Sequence, residues 1–289
     1  MRSVILKTLC SAAILGAMGL IPTASADVIS PIQSTAKPLG LSAVAPVELA
    51  GSDAQSIAFM SALPALKALI TTKLPEYHQL NNAAAMAVDP ASLRLTTDAA
   101  VRVYFISEGA SYHSALGFNT FAPGSAIPTA TTPRITTNAE LIFPDASSSD
   151  PGGLGTAAVS VRTSREPLLA GDYVDLGTFS AGTLLDPFLI AGNGSNPVLT
   201  AETARNADNF QHIVAFTLGG SPYLFLSFED AVSGGDKDYN DVVFAMEFSQ
   251  VSPTMTPEPG TWASLVGLCL LIGANTLRNK NSSALQKCA

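Results

Sequence analysis

Residues 228–244 hold the densest set of groups able to do chemistry: Phe228-Glu229-Asp230-Ala231-Val232-Ser233-Gly234-Gly235-Asp236-Lys237-Asp238-Tyr239-Asn240-Asp241-Val242-Val243-Phe244. Five carboxylates and one carboxamide surround a Gly-Gly pair. So many like charges in one loop repel unless water solvates them or a cation shares them. Hard ions such as Ca²⁺ take six to eight oxygens, commonly from loops. Asp236, Asp238 and Asn240 have the D-x-D-x-N spacing in which alternate residues point inward together. Gly234 and Gly235 can adopt positive φ and fold the chain around an ion. The loop is not an EF-hand, since Asp241 stands where glycine is required. Glu247 falls at the twelfth loop position, but strand alternation turns it away from Val242, Phe244 and Met246. The competing reading is a solvated turn whose Asp and Asn side chains bond the backbone.

The elements around this loop read as strands. Val101, Val103 and Phe105 alternate with Arg102 and Tyr104, and Ala157, Val159 and Val161 with Ala158, Ser160 and Arg162. Similar runs occur at 139–143, 173–179, 187–190, 212–218, 223–228 and 242–248. Period two predicts half-buried strands, and many short strands with turn signals predict a mainly β fold. The expected architecture is a single β-sandwich, jelly-roll-like, over 93–249. An arm over 27–92 precedes it, rich in Pro, Ser and Ala at its start. Within the arm, Ile57, Met60, Leu63, Leu66 and Ile70 recur at helical steps, with Ser52 or Asp53 as cap and Pro64 as an interruption. A further helical turn is expected at 83–87. Residues 250–256 form a Pro/Thr linker.

The run Phe228-Glu229-Asp230, then Gly234-Gly235-Asp236 through Phe244, resembles the C-terminal signature of the family called domain of unknown function 4114. Ser107-Glu108-Gly109-Ala110-Ser111-Tyr112 with Leu116-Gly117-Phe118 resembles its early motif. Ala170-Gly171-Asp172, Leu176-Gly177 and Ala181-Gly182-Thr183 resemble its middle. Asn206-Ala207-Asp208 before His212-Ile213-Val214 resembles its Asn-Pro-Asp…His segment, with Ala207 where proline is usual and Asn209 where glycine is usual. The likeness spans about 93–248. It implies a β-rich extracellular domain with calcium at the acidic loop, and it supplies no enzymatic activity. By that analogy Glu229, Asp230, Asp236, Asp238, Asn240 and Asp241 are the candidate ligands. Asp208 and Asn206 would come close to them if the His212 strand neighbours the Leu226 strand.

Both ends of the chain carry sorting signals. Arg2 and Lys7 precede an apolar stretch over 8–21, and Ala24-Ser25-Ala26 is a small-x-small cleavage site. These are the parts of a secretory signal peptide over 1–26, with the mature chain starting at Asp27. At the other end Pro257-Glu258-Pro259 precedes an apolar run over 262–277, then Arg278 and Lys280. The prolines stiffen an extended motif, the apolar run can enter a bilayer, and the basic residues hold the end on the cytoplasmic side. This order resembles the PEP-CTERM signal of Gram-negative bacteria, which a membrane protease called exosortase processes. Exosortase and signal peptidase are therefore the expected partners during export, with 257–289 as the sorting segment and 262–277 as a transmembrane helix before processing. The expected location is the cell envelope or extracellular matrix, with the inner-membrane anchor transient or permanent.

The chain has 15 Lys and Arg against 23 Asp and Glu. Five basic residues (Arg2, Lys7, Arg278, Lys280, Lys287) and no acidic ones lie outside 27–259, so that body carries a net charge of −13. Such acidity argues against nucleic acid as a partner and suits cation binding or a polysaccharide matrix. Cys10, Cys269 and Cys288 also fall in the end segments. The body therefore has no disulfide, thiol nucleophile or thiolate metal site.

No Gly-x-Ser-x-Gly, His-Glu-x-x-His or phosphate-loop motif occurs. Glu229 and Asp230 are adjacent, and neighbouring strand residues point to opposite faces, a poor arrangement for a glycosidase pair. His212 is expected as a hydrogen-bonded structural residue, and Tyr239 and Phe228 as packing residues; His78 and His113 receive no role. The sequence thus predicts a non-enzymatic surface or matrix protein with a calcium-binding loop. The alternative is a calcium-dependent carbohydrate-binding module acting on exopolysaccharide or envelope components. The absence of Trp before Trp262 weighs against that alternative.

Overall fold

The computed structural model describes residues 32–249 apart from 34, 81–87, 110–111, 149–160 and 193. The signal segment with Ala24 and Ala26, the sorting motif Pro257-Glu258-Pro259, the apolar run 262–277, the turn expected at 83–87 and most of the strand expected at 157–161 lie outside the described residues.

Among the described residues, nine strands form two antiparallel sheets. In chain order they are β1 (Ala99–Glu108), β2 (Ala115–Phe121), β3 (Glu140–Phe143), β4 (Tyr173–Phe179), β5 (Leu184–Ile190), β6 (Val198–Thr200), β7 (Ile213–Thr217), β8 (Leu224–Phe228) and β9 (Val242–Phe248). One sheet has the order β4-β1-β9-β8-β7 and the other β3-β2-β5-β6. Their inner faces interdigitate: Val103, Phe105, Leu226 and Phe244 from the first meet Leu116, Phe118, Leu185 and Leu189 from the second. The fold is mainly β, two sheets packed face to face as in a sandwich.

The five-stranded sheet is buried on its outer face too. Helix α1 (Ala54–Lys73) lays Phe59, Leu63, Leu66 and Ile70 against Tyr104, Val214, Phe225 and Val243. Period two alone predicts one wet face. The helix changes that, so every residue of β8 is buried and Arg102 on β1 is nearly so. Arg102 lies over the Tyr173 ring at 3.9 Å and pairs with Asp53 and Asp175. Asp53 also caps α1, accepting from the Ser56 N–H at 2.7 Å. One carboxylate thus starts the helix and fastens it to the sheet.

Pro64 does not interrupt α1. It lies on the solvent side, where water can serve the carbonyl freed by its missing N–H. The helix is held by packing more than by propensity. Before it, Ala43 bridges Leu141 and Glu48 bridges Tyr173, so residues 43–73 contact both sheets.

Between β5 and the turn at 203–205, Arg205 and Asp186 form a fully buried ion pair at 2.9 Å. Asn119 donates to Asp186, and Arg205 donates to the Pro133 carbonyl. Removing one member of such a pair strands the other charge. Arg205→Met is expected to cost about 3–5 kcal/mol in urea unfolding, and Arg205→Met/Asp186→Leu to regain most of it. Equal losses in the single and double variants would contradict this.

Candidate functional site: an acidic cleft at the β8–β9 loop

β8 and β9 pair in register from Leu224↔Met246 to Phe228↔Val242, and the acidic residues fill the loop between them. The loop carries five residues at positive φ: Ser233, Gly234, Gly235, Lys237 and Tyr239. A Cβ on Gly235 would collide with Glu229 Oε1, so glycine lets the backbone close over that carboxylate. Tyr239 is bulky and left-handed (φ 60°), a conformation that costs about 1–3 kcal/mol. Its buried ring and its hydroxyl, donating to the Gln211 carbonyl at 2.6 Å, hold it there.

Oxygens of Glu229, Asp236 and Asp238 lie within 4.8 Å of one another. Glu229 is 1% exposed, and its Oε2 has no hydrogen-bond partner. Asp238 accepts from the N–H groups of Tyr77 (2.8 Å) and Asn240 (3.1 Å). Asp241 Oδ2 accepts from the Asp230 N–H at 2.9 Å, and Asp230 Oδ2 from the Ser114 hydroxyl at 3.3 Å. All six expected residues therefore belong to one neighbourhood. Glu229, Asp230, Asp236, Asn240 and Asp241 line an open cleft of about 340 Å³, and Asp238 stands behind them.

Three further side chains join them. Glu76, just after α1, accepts from Asn240 Nδ2 at 3.1 Å, and Tyr77 lines the cleft beside it. Glu108, at the end of β1, is buried and accepts from the Ser148 N–H at 3.2 Å. Glu108 carried a signal in the Ser107-Glu108-Gly109 motif. Glu76 and Tyr77 carried none, because contacts across 160 residues of chain leave no local pattern.

Asp208 reaches the loop, its Oδ2 accepting from the Ser233 N–H (2.7 Å) and bonding His212 Nε2 (3.0 Å). Asn206 does not; it bonds Thr200 and the Phe210 carbonyl. Asn209 has φ 54°, so the position where glycine is usual keeps its left-handed geometry with asparagine. His212 is buried between the Glu229 carbonyl and Asp208, a structural role as expected. Val243 and Ala245 face α1 while Val242, Phe244 and Met246 face the inter-sheet core; Glu247, in register with the former, accepts from the Tyr104 hydroxyl.

The electrostatics follow from burial without counter-charge. Among the described residues, no Lys or Arg pairs with these carboxylates; Lys237 sits instead over the Phe210 ring. Burial, then the charge of Asp241, raises the proton affinity of Glu229 and of Asp230 well above the ordinary range. Burial pushes Glu108 up to about 8 and raises Glu76, Asp238 and Asp241 as well. The arrangement can either hold protons or bind a cation; it cannot hold its full negative charge alone.

The family model Domain of unknown function (DUF4114) matches residues 179–249, which run from the end of β4 through β9 and contain the whole acidic loop. No curated protein and no solved structure matches the chain.

A pH dependence follows. Raised carboxylate pKa values mean that the folded state binds protons the unfolded chain has released. Stability without metal is therefore highest at acid pH and falls as pH rises from the unfolded carboxylate range, near 4, to about 8. In chelator, the melting temperature is expected to drop across that window, and Glu229→Gln to flatten the drop. A melting temperature that climbs with pH in chelator would contradict the assignment.

Proposed function

We propose that the chain is an exported surface or matrix protein, non-enzymatic, whose acidic cleft is a calcium site that closes one end of the sandwich. The observation that carries this is the buried Glu229 carboxylate, with Oε2 unpartnered, facing Asp236 and Asp238. The donor set is entirely hard oxygen. Ligand atoms all within 4.8 Å of one another leave room for a central ion with oxygens at about 2.4 Å. Glu229, Asp236 and Asp238 would hold Ca²⁺ directly. Asn240 would offer its carbonyl oxygen, since its amide N–H is engaged by Glu76. Asp230 and Asp241 would add charge, and water the remaining positions. The ion supplies the positive charge the cleft lacks. Magnesium, which demands near-ideal octahedral geometry and dehydrates reluctantly, fits an open carboxylate cleft less well.

Export and sorting rest on the sequence: the basic, apolar and Ala24-Ser25-Ala26 segments, and Pro257-Glu258-Pro259 before the apolar run and Arg278. Signal peptidase and exosortase would act in turn, the latter on a chain anchored by a sorting helix at 262–277. A metal-stabilised, cysteine-free body with a net charge of −13 suits an acidic polymer matrix outside the cell.

Two outcomes are expected. Calcium at 100 times its Kd should raise the melting temperature by roughly 5–10 °C, and magnesium much less. Asp236→Ala/Asp238→Ala should abolish the rise; a variant that keeps it would rule out the site. Intact mass of the exported protein should correspond to a chain beginning at Asp27. Replacing Pro257-Glu258-Pro259 with alanines should leave 262–277 attached, and an unchanged mass would refute exosortase processing.

A further inference from the structure

We infer that the acidic cleft is a saccharide-binding site, in which Tyr77 and Tyr112 pack on sugar rings whose hydroxyls reach the cation. This rests on the calcium reading above and names the ligand class of that site. Among the described residues, two aromatic side chains count as large exposed apolar groups, Tyr77 (78% exposed) and Tyr112 (37%). They come from distant parts of the chain, one after α1 and the other between β1 and β2, yet both line this cleft. Other tyrosines go inside: Tyr104, Tyr173, Tyr223 and Tyr239 are all buried. Solvent exposure of tyrosine forfeits its apolar burial, and two such losses at one mouth call for a ligand that repays them.

The ligand chemistry follows from what the cleft presents. Calcium keeps exchangeable positions for neutral oxygens, and vicinal hydroxyls of a pyranose can replace two waters. The C–H face of the same ring is apolar and covers a tyrosine ring. The cleft volume, about 340 Å³, falls at the small end of ligand sites of about 300–1,000 Å³. Glu229 Oε2 is buried without a hydrogen-bond partner, and the Glu229 carboxylate lies with those of Asp236 and Asp238. The Tyr77 N–H bonds Asp238 at 2.8 Å, which ties the tyrosine backbone to the same carboxylates. Anionic ligands without calcium are excluded by the surrounding negative charge.

The test uses the full chain on immobilised mannan, galactan and alginate, with calcium and with chelator. Calcium-dependent retention on at least one polymer is expected. Tyr77→Ala and Tyr112→Ala should each weaken it by about fivefold or more, while Tyr112→Ala keeps the parental calcium-induced melting shift. No retention on any polymer, with that shift intact, overturns the saccharide assignment and leaves the cation site standing. Loss of the shift in the parent overturns the calcium reading beneath it. Retention that survives chelator, and is competed by tetramethylammonium, marks an organic-cation pocket and overturns the inference. Retention unchanged in both tyrosine variants also overturns it.

Discussion

Carboxylates taken out of water without a counter-charge are the constraint on which this molecule turns. At an effective dielectric near 20, two full negative charges about 5 Å apart repel by roughly 3 kcal/mol. Glu229, Asp236 and Asp238 present several such contacts, with Asp230, Asp241, Glu76 and Glu108 close behind. Elsewhere the same chain solves the problem with arginine, as at Asp186–Arg205 and Asp53–Arg102. Among the described residues, it supplies none in the cleft. The contrast separates the structural ion pairs from a cleft whose acids have no arginine partner among the described residues.

The fold explains how so many acids come together. The β8–β9 loop leaves a sheet buried on both faces, so its ends cannot splay to relieve repulsion. The chain after α1 bonds across the loop through Tyr77, Leu80 and Glu76, fixing Asp238, Lys237 and Asn240. The Gly109 N–H bonds the Asp241 carbonyl and brings the end of β1 alongside. Three separate segments thus converge on a loop that also needs left-handed residues at Ser233, Lys237 and Tyr239. Strain and repulsion collect at one end of the sandwich, the usual mark of a functional site.

Much of this was legible in the residues. The runs at 173–179 and 242–248 coincide with β4 and β9, because alternation and flanking turn residues act locally. Strands β2 and β6 were missed, since β2 offers only Leu116 and Phe118 as an alternating apolar pair and β6 is three residues long. The clustering of the loop carboxylates was readable because carboxylate spacing is a local property. The role of Glu76 and Tyr77 was not, since it exists only once α1 packs on the sheet. Pro64 was misread as a break because propensity knows nothing of the tertiary contacts at Phe59, Leu63 and Leu66.

The most direct test of the central claim is to count protons released when calcium binds, by titration calorimetry at pH 7 in buffers of different ionisation enthalpy. A cluster that holds protons until a cation displaces them predicts net proton release, with one calcium bound at the Glu229–Asp236–Asp238 cluster. Calcium binding with no proton release, or no binding heat in any buffer, would contradict the account.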